Sequence, residues 1–405
     1  MSIKQETAVL PGRARSRGGL HTILIMVCLL VVMTHSNMPT PLYSEYGKRF
    51  PIDTLSITVI YAMYALGVSI ALIVGASLVA RFGERLLMIA GLISIIGSNV
   101  LFIEAGSVPE LLVARVLTGL AAGAFMSAGT AAVVELASEE RRPFYALLAT
   151  ACNILGMGLG PVIGGFAAVH VAHPIFWVFS VHLAVAAVLA VSVRFLPARV
   201  SAVNTHSGGF VRPAPPADDR FRIGFYGLCL IGITGMGVLG LLSGLTPTFL
   251  HSIDAGISLA VSGLVIGSVF GGSAVAQLAL KRIPIVPGVL GGTAGVITGL
   301  LLFSLAIVCH SIALYVLAAV VCGLGQGMTI GRSVQAISAK TRNAGDRVGS
   351  IALYYLALYG GASAPVIAVG VVQRQAGLLT AAIYFSVFAV LISAVGLFMF
   401  RAKKG

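Results

Sequence analysis

Residues 156–165 read Gly156-Met157-Gly158-Leu159-Gly160-Pro161-Val162-Ile163-Gly164-Gly165, inside an apolar run over 145–169. A run of roughly 20 residues or more is long enough to cross a bilayer as a helix. Gly156, Gly160 and Gly164 recur every fourth residue, so a helix carries them on one side, where a neighbouring helix can approach its backbone closely. Pro161 removes a backbone donor and kinks that helix at a fixed place. The run has a counterpart, because a shift of 204 residues puts Gly156 on Gly360 and Pro161-Val162-Ile163 on Pro365-Val366-Ile367. The same shift of 204 puts Gly119-Leu120 and Gly123 on Gly323-Leu324 and Gly327, and a shift of 206 puts Thr40-Pro41 on Thr246-Pro247. Three correspondences at nearly one spacing predict two parallel structural repeats around a central path.

Composition agrees with a membrane location. Of the 405 residues, 58% are hydrophobic and 10% charged, and the mean hydropathy is +1.01, values foreign to a soluble domain. Apolar stretches over 21–44, 55–79, 86–106, 110–134, 145–169, 174–196, 223–248, 258–280, 287–309, 312–338, 349–371 and 378–400 predict twelve crossings. Barrel strands would be shorter and would alternate in polarity, which these stretches do not. The expected fold is all-α and integral to the membrane, with two pseudo-symmetric six-helix bundles at 21–196 and 223–400. A linker over 197–222, rich in Pro, Gly, Ser and charge, separates them, and short tails at 1–20 and 401–405 flank them.

The net charge of +13 does not point to nucleic acid, because the basic residues follow the loops. Only Lys48, Arg49 and Arg374 fall in loops of one parity. The other loop and tail cations, among them Arg13, Arg81, Arg85, Arg141, Arg142, Arg220, Arg282 and Arg347, fall at the termini and in every second loop. The positive-inside rule then predicts both termini in the cytoplasm and an even number of crossings. The Arg13-Ala14-Arg15-Ser16-Arg17 stretch resembles a signal-peptide n-region, but the apolar run after it is long and no Ala-x-Ala site follows, so a retained first helix is expected. Cys28, Cys152, Cys229, Cys309 and Cys322 fall in predicted spans as small packing residues, with no metal or disulfide spacing.

With these residues in view, nearly the whole chain resembles the major facilitator superfamily. Gly156-x-x-x-Gly160-Pro161-x-x-Gly164-Gly165 resembles that superfamily's motif C, associated with antiporters that export drugs and other small molecules. Arg115-x-x-x-Gly119-x-x-x-Gly123 is similar to motif B, whose arginine the family uses in or near proton transfer. Arg81-Phe82-Gly83-Glu84-Arg85 resembles the core of motif A, a cytoplasmic latch. Ala80 stands where that motif has an aspartate, and Glu84 where a basic residue is common. The resemblance implies a drug or metabolite antiporter in a cell membrane, expected to be a bacterial cytoplasmic membrane.

Ionisable groups are costly in hydrocarbon, so the few in the spans are the candidates for function. Arg115 either serves the path or snorkels to the interface. Arg332, with Gln335 one turn on, either serves the path or makes a structural ion pair or carbonyl contact. His35 has a reference pKa near 6.5 that suits a proton carrier, and with Asn37 beside a Pro39-Thr40-Pro41 break it could equally be a hydrogen-bonded cavity residue. Glu135 lies about 200° around the helix from Arg115 and about 30 Å along it, so it is expected near Arg141 or Arg142. No carboxylate falls in the middle of a span, and the central path therefore carries positive fixed charge from Arg115 and Arg332.

These features predict a secondary transporter that exports a neutral, zwitterionic or anionic small molecule, in exchange for protons. The spaced glycines are expected to pack the fifth helix at the interface of the two halves. The expected partners are the substrate, protons and the lipid bilayer, with no cofactor, no metal, no nucleic acid and a monomeric working unit. Uptake by symport or facilitation, and a receptor using a transporter fold, are the rival readings. An enzyme is not expected, because His35, His182 and His310 lie on different segments, and His170 and His173 share a loop without a further ligand.

Overall fold

Twelve apolar helices account for almost all of the described chain. The computed structural model describes residues 11–196, 213–279, 282–341 and 344–401. In chain order the spans are α1 (Gly19–Tyr46), α2 (Thr54–Phe82), α3 (Glu84–Glu104), α4 (Val108–Glu135), α5 (Arg142–His170) and α6 (Pro174–Val193). The second half follows with α7 (Asp219–Ile253), α8 (Leu259–Ala279), α9 (Ile285–Val308), α10 (Ile312–Lys340), α11 (Ala344–Ala376) and α12 (Leu378–Arg401). The helix bounds fall within a few residues of the apolar runs. Helix α7 begins inside the expected linker because Asp218 caps it by accepting from the Arg220 N–H at 3.0 Å. Linker residues 197–212 lie outside the described residues.

Helix ends follow from local chemistry. Asp53 accepts from the Ser56 N–H at 2.8 Å and starts α2, and Ser311 accepts from the Leu314 N–H at 3.3 Å and starts α10. Gly83 both ends α2 and begins α3 at φ 82°, a backbone that a side chain would strain. The left-handed turn before α6 is taken by His173 at φ 54°, and the turn before α12 by Gly377 at φ 85°. These two positions are 204 residues apart, so the repeat extends to backbone conformation.

Within each half the helices approach through small residues. A Cβ on Gly119 or Gly123 would run into the α2 backbone at Tyr64 and Val68, and a Cβ on Gly323 or Gly327 into the α8 backbone at Val269 and Ser273. The α4–α2 seam of the first half is thus repeated as the α10–α8 seam of the second. Lipid tails are as apolar as leucine, so close backbone contact of this kind, rather than hydrophobic burial, holds membrane helices together. Phe176, Trp177, Val181, Val188 and Leu391 stay exposed on the outside of the bundle, as lipid-facing residues must.

The glycine run of α5 divides its contacts in a way the spacing alone does not reveal. Gly156, Gly160 and Gly164 lie against α1 at Leu30, Thr34 and Met38, inside the first half, and not at the interface of the halves as expected. The opposite face makes the interface: Gly158 faces Gly267 and Phe270, Pro161 faces Gly263, and Gly165 faces Leu259 and Gly263 of α8. The correction has a simple cause, since a four-residue period marks one face but does not say which neighbour fills it. The second interface joins α2 to α11, where Gly370 lies against Leu55 and Thr58, and Arg374 stands 3.9 Å from Asp53.

Candidate functional site

A narrow cavity lies between the halves, lined by Tyr61, Tyr64 and Ala65 of α2, Met157 of α5, Met236, Leu239 and Gly240 of α7, and Tyr359, Ser363 and Val366 of α11. None of these side chains is charged. The Asp53–Arg374 pair and the Gly370 and Gly165 contacts join the halves at the end away from the termini. Tyr64 and Tyr359 meet edge to face across the halves at 6.4 Å, and the Tyr359 hydroxyl reaches the Met126 sulfur at 3.5 Å. Met126 sits in a π-helical turn of α4, Phe125–Gly129, a local widening that often accompanies function.

Arg115 stands beside this cavity, behind the ring of Tyr61. It is 0% exposed and does not snorkel. Its Nε donates to the Tyr43 hydroxyl at 2.7 Å and its Nη1 to the Ser36 carbonyl, while Nη2 is buried without a partner. The guanidinium carbon stands 5.6 Å from the Tyr43 ring and 5.8 Å from the Tyr61 ring, so aromatic faces supply part of its stabilisation. Among the described residues no carboxylate pairs with it.

Asn37 belongs to the same region. Pro161 has no N–H, so the Met157 carbonyl one turn earlier in α5 lacks its helical donor, and Asn37 Nδ2 donates to it at 3.3 Å. Asn37 Oδ1 is left buried and without a partner.

His35 lies two residues before Asn37, about 200° around α1, and so faces away from this cavity into the first half. It stacks on His182 of α6 at 4.7 Å, stands edge-on to Phe102 and Phe179, and bonds Ser98 through Nε2 at 3.0 Å. His182 Nδ1 accepts from Asn99 Nδ2 at 3.1 Å and its Nε2 donates to the Val31 carbonyl at 3.0 Å, which selects the neutral Nε2–H tautomer. Sequence reasoning named His182 only as lying on a different segment from His35, and passed over Ser98 and Asn99, although all three are polar residues inside apolar runs.

The remaining candidates lie apart. Arg332 donates from Nη1 to the Ile283 carbonyl at 3.1 Å and to Gln335 at 2.7 Å, tying α10 to the loop between α8 and α9. This is the carbonyl contact that stood as the alternative to a place in the path, and Arg332 adds no charge to the cavity wall. Glu135 faces Arg142 at 3.4 Å near the end of α4. Arg85 donates to the carbonyls of Leu196 at 2.9 Å and Arg194 at 3.4 Å, which fastens the α2–α3 turn to the end of α6, and Arg81 lies over Phe82 at 5.0 Å. Cys28, Cys229 and Cys322 are buried thiols, whereas Cys309 is exposed just past the end of α9.

The family model of the Major Facilitator Superfamily matches residues 25–365. The chain belongs to the Major Facilitator Superfamily. Among its relatives, the Multidrug resistance protein 1 of Bacillus subtilis is 25% identical over 42% of this chain and 43% of its own length. An uncharacterized transporter of Schizosaccharomyces pombe is 26% identical over 38% of this chain and 32% of its own. The chain thus spans less than half the length of the curated relatives it matches. Among solved structures, the nucleoside transporter NupG superposes with a TM-score of 0.73 at 12% identity, covering 94% of this chain and 99% of that one. The D-xylose-proton symporter superposes with a TM-score of 0.75 at 14% identity, covering 94% and 96%. At such identity these likenesses establish the fold, two six-helix bundles about a central cavity.

Proposed function

We propose that this member of the superfamily exports a small neutral, zwitterionic or anionic molecule by alternating access, in exchange for protons, with both termini in the cytoplasm of a bacterial cell. The observation that carries the reading is the uncharged, aromatic cavity between the halves with the uncompensated Arg115 beside it. A cavity so disposed repels a cation and accepts neutral or negative cargo. On this topology the contacts at Asp53–Arg374 and Gly370 close the outer side, and the cargo is taken from within. Export is supported by the resemblance of residues 156–165 to motif C and by partial similarity to a multidrug resistance protein. Arginine does not release its proton under these conditions, so the stacked imidazoles of His35 and His182 are the proposed coupling groups.

Uptake stands as the second reading, favoured by the packing of Gly156, Gly160 and Gly164 on α1, which any transporter of this fold could use. Energised inside-out vesicles distinguish the two when proton movement is followed with a pH-sensitive dye. Collapse of the gradient by an anionic or neutral compound, lost in Arg115→Gln and in His35→Gln, is the expected result. Vigorous transport of a permanently cationic dye would overturn the substrate assignment, and labelled-compound movement without proton movement would overturn the coupling.

A further inference from the structure

The cargo can be narrowed further if the cavity is taken, as above, to be the transport path. Its walls carry three phenol rings, Tyr61, Tyr64 and Tyr359, two thioethers, Met157 and Met236, and otherwise small or aliphatic side chains. Phenol rings accept another ring edge-on or offset, and thioether sulfur sits well at a ring edge, so the lining suits a flat aromatic body. The space is narrow in this state, so a ring is received there only as the halves part during the transport cycle.

The charge of the cargo follows from Arg115. A guanidinium wholly out of water, bonded to one neutral phenol and one backbone carbonyl and with a free Nη2, is a buried cation lacking its anion. Tyr61 belongs to both places, since its ring lines the cavity and lies 5.8 Å from that guanidinium. Across the halves this ring is backed by Gly240 and Gly244, and a methyl on Gly240 would stand 3.2 Å from Tyr61 Cε1. The ring therefore packs directly on these α7 glycines and is released only as the halves part. The second half has no such charge, because Ala319 stands at the position 204 residues after Arg115. We propose that the transported molecule is a small aromatic monocarboxylate, its ring held among Tyr61, Tyr64 and Tyr359 and its carboxylate received by the free Nη2 of Arg115 once Tyr61 swings aside.

The test is calorimetric binding to the purified full-length protein, with benzoate and naphthoate against their amides, cyclohexanecarboxylate and benzylamine. The aromatic carboxylates are expected to bind about tenfold or more tighter than the amides, cyclohexanecarboxylate about tenfold weaker than benzoate, and benzylamine not at all. In Arg115→Gln the preference for carboxylate over amide should vanish, and unchanged elution on gel filtration reports that the protein is folded. If that variant does not fold, Arg115→Lys should keep the preference with weakened binding. Equal binding of benzoate and benzamide to the unaltered protein, a preference that survives Arg115→Gln, loss of the preference in Arg115→Lys, or no binding of any aromatic acid would overturn the proposal. Counterflow of labelled benzoate in proteoliposomes separates the two readings. Arg115-dependent binding without exchange would end the transport reading and keep the site. Exchange of another labelled compound with no aromatic acid bound would end the cargo assignment and keep transport.

Discussion

Asn37 Nδ2 donates at 3.3 Å to the carbonyl oxygen of Met157, the acceptor that Pro161 leaves without its helical partner. The proline that bends α5 is thus paid for by a side chain of α1, and the bend holds Met157 at the cavity wall. Asn37→Ala should destabilise the protein by about 1 kcal/mol, because one carbonyl is then buried unpaired. Pro161→Ala, which restores the N–H, should lower the cost of Asn37→Ala in the double variant. Melting temperatures in one detergent check this, and strictly additive effects would remove the link between the two residues.

Gly160 and Gly165 are only five residues apart but serve different contacts. Gly160→Leu drives a side chain into the Thr34 carbonyl of α1, within one half, and should reduce the yield of folded protein. Gly165→Leu meets the Leu259 carbonyl of α8, across the halves, and should leave the protein folded but unable to close that end. Gel filtration together with transport reports both, and equal loss of folding in the two variants would contradict the division of the seam.

Tyr43→Phe removes the acceptor of Arg115 Nε while keeping the ring beneath the guanidinium. A further unpaired N–H on a buried cation should cost about 1–3 kcal/mol of stability and reduce transport. Unchanged melting would mean that water already serves the guanidinium.

Asp53 accepts from the Ser56 backbone and hydroxyl and lies beside Arg374, so its carboxyl is held below the usual carboxylate range. A depressed carboxylate contributes to the closed end at all pH values above its ordinary range and is lost only as pH falls through its lowered value. Between pH 5 and 8 the accessibility of a cysteine placed at Ser363 from that end should therefore stay constant. Asp53→Asn should raise it at neutral pH, though modestly, since both partners are well exposed. Constant labelling in Asp53→Asn would show that the glycine contacts alone close the end.

Twelve spans and the twofold repeat were legible in the chain itself, because a bilayer demands helices of about 20 apolar residues and a repeat leaves matching Gly and Pro positions. Arg115 was legible for the same reason, as a charge that hydrocarbon does not tolerate without cause. Tyr61, Tyr64 and Tyr359 were not, since a tyrosine in an apolar span looks like any lipid-facing or packing residue until the helices are placed. Tertiary structure alone decided that α1 fills one glycine face of α5 and α8 the other, that Arg332 serves a loop carbonyl, and that His35 stacks on His182 away from the cavity. Helical periodicity specifies which side chains share a face, whereas the neighbour that occupies that face depends on how twelve helices pack together, and no local pattern carries that information.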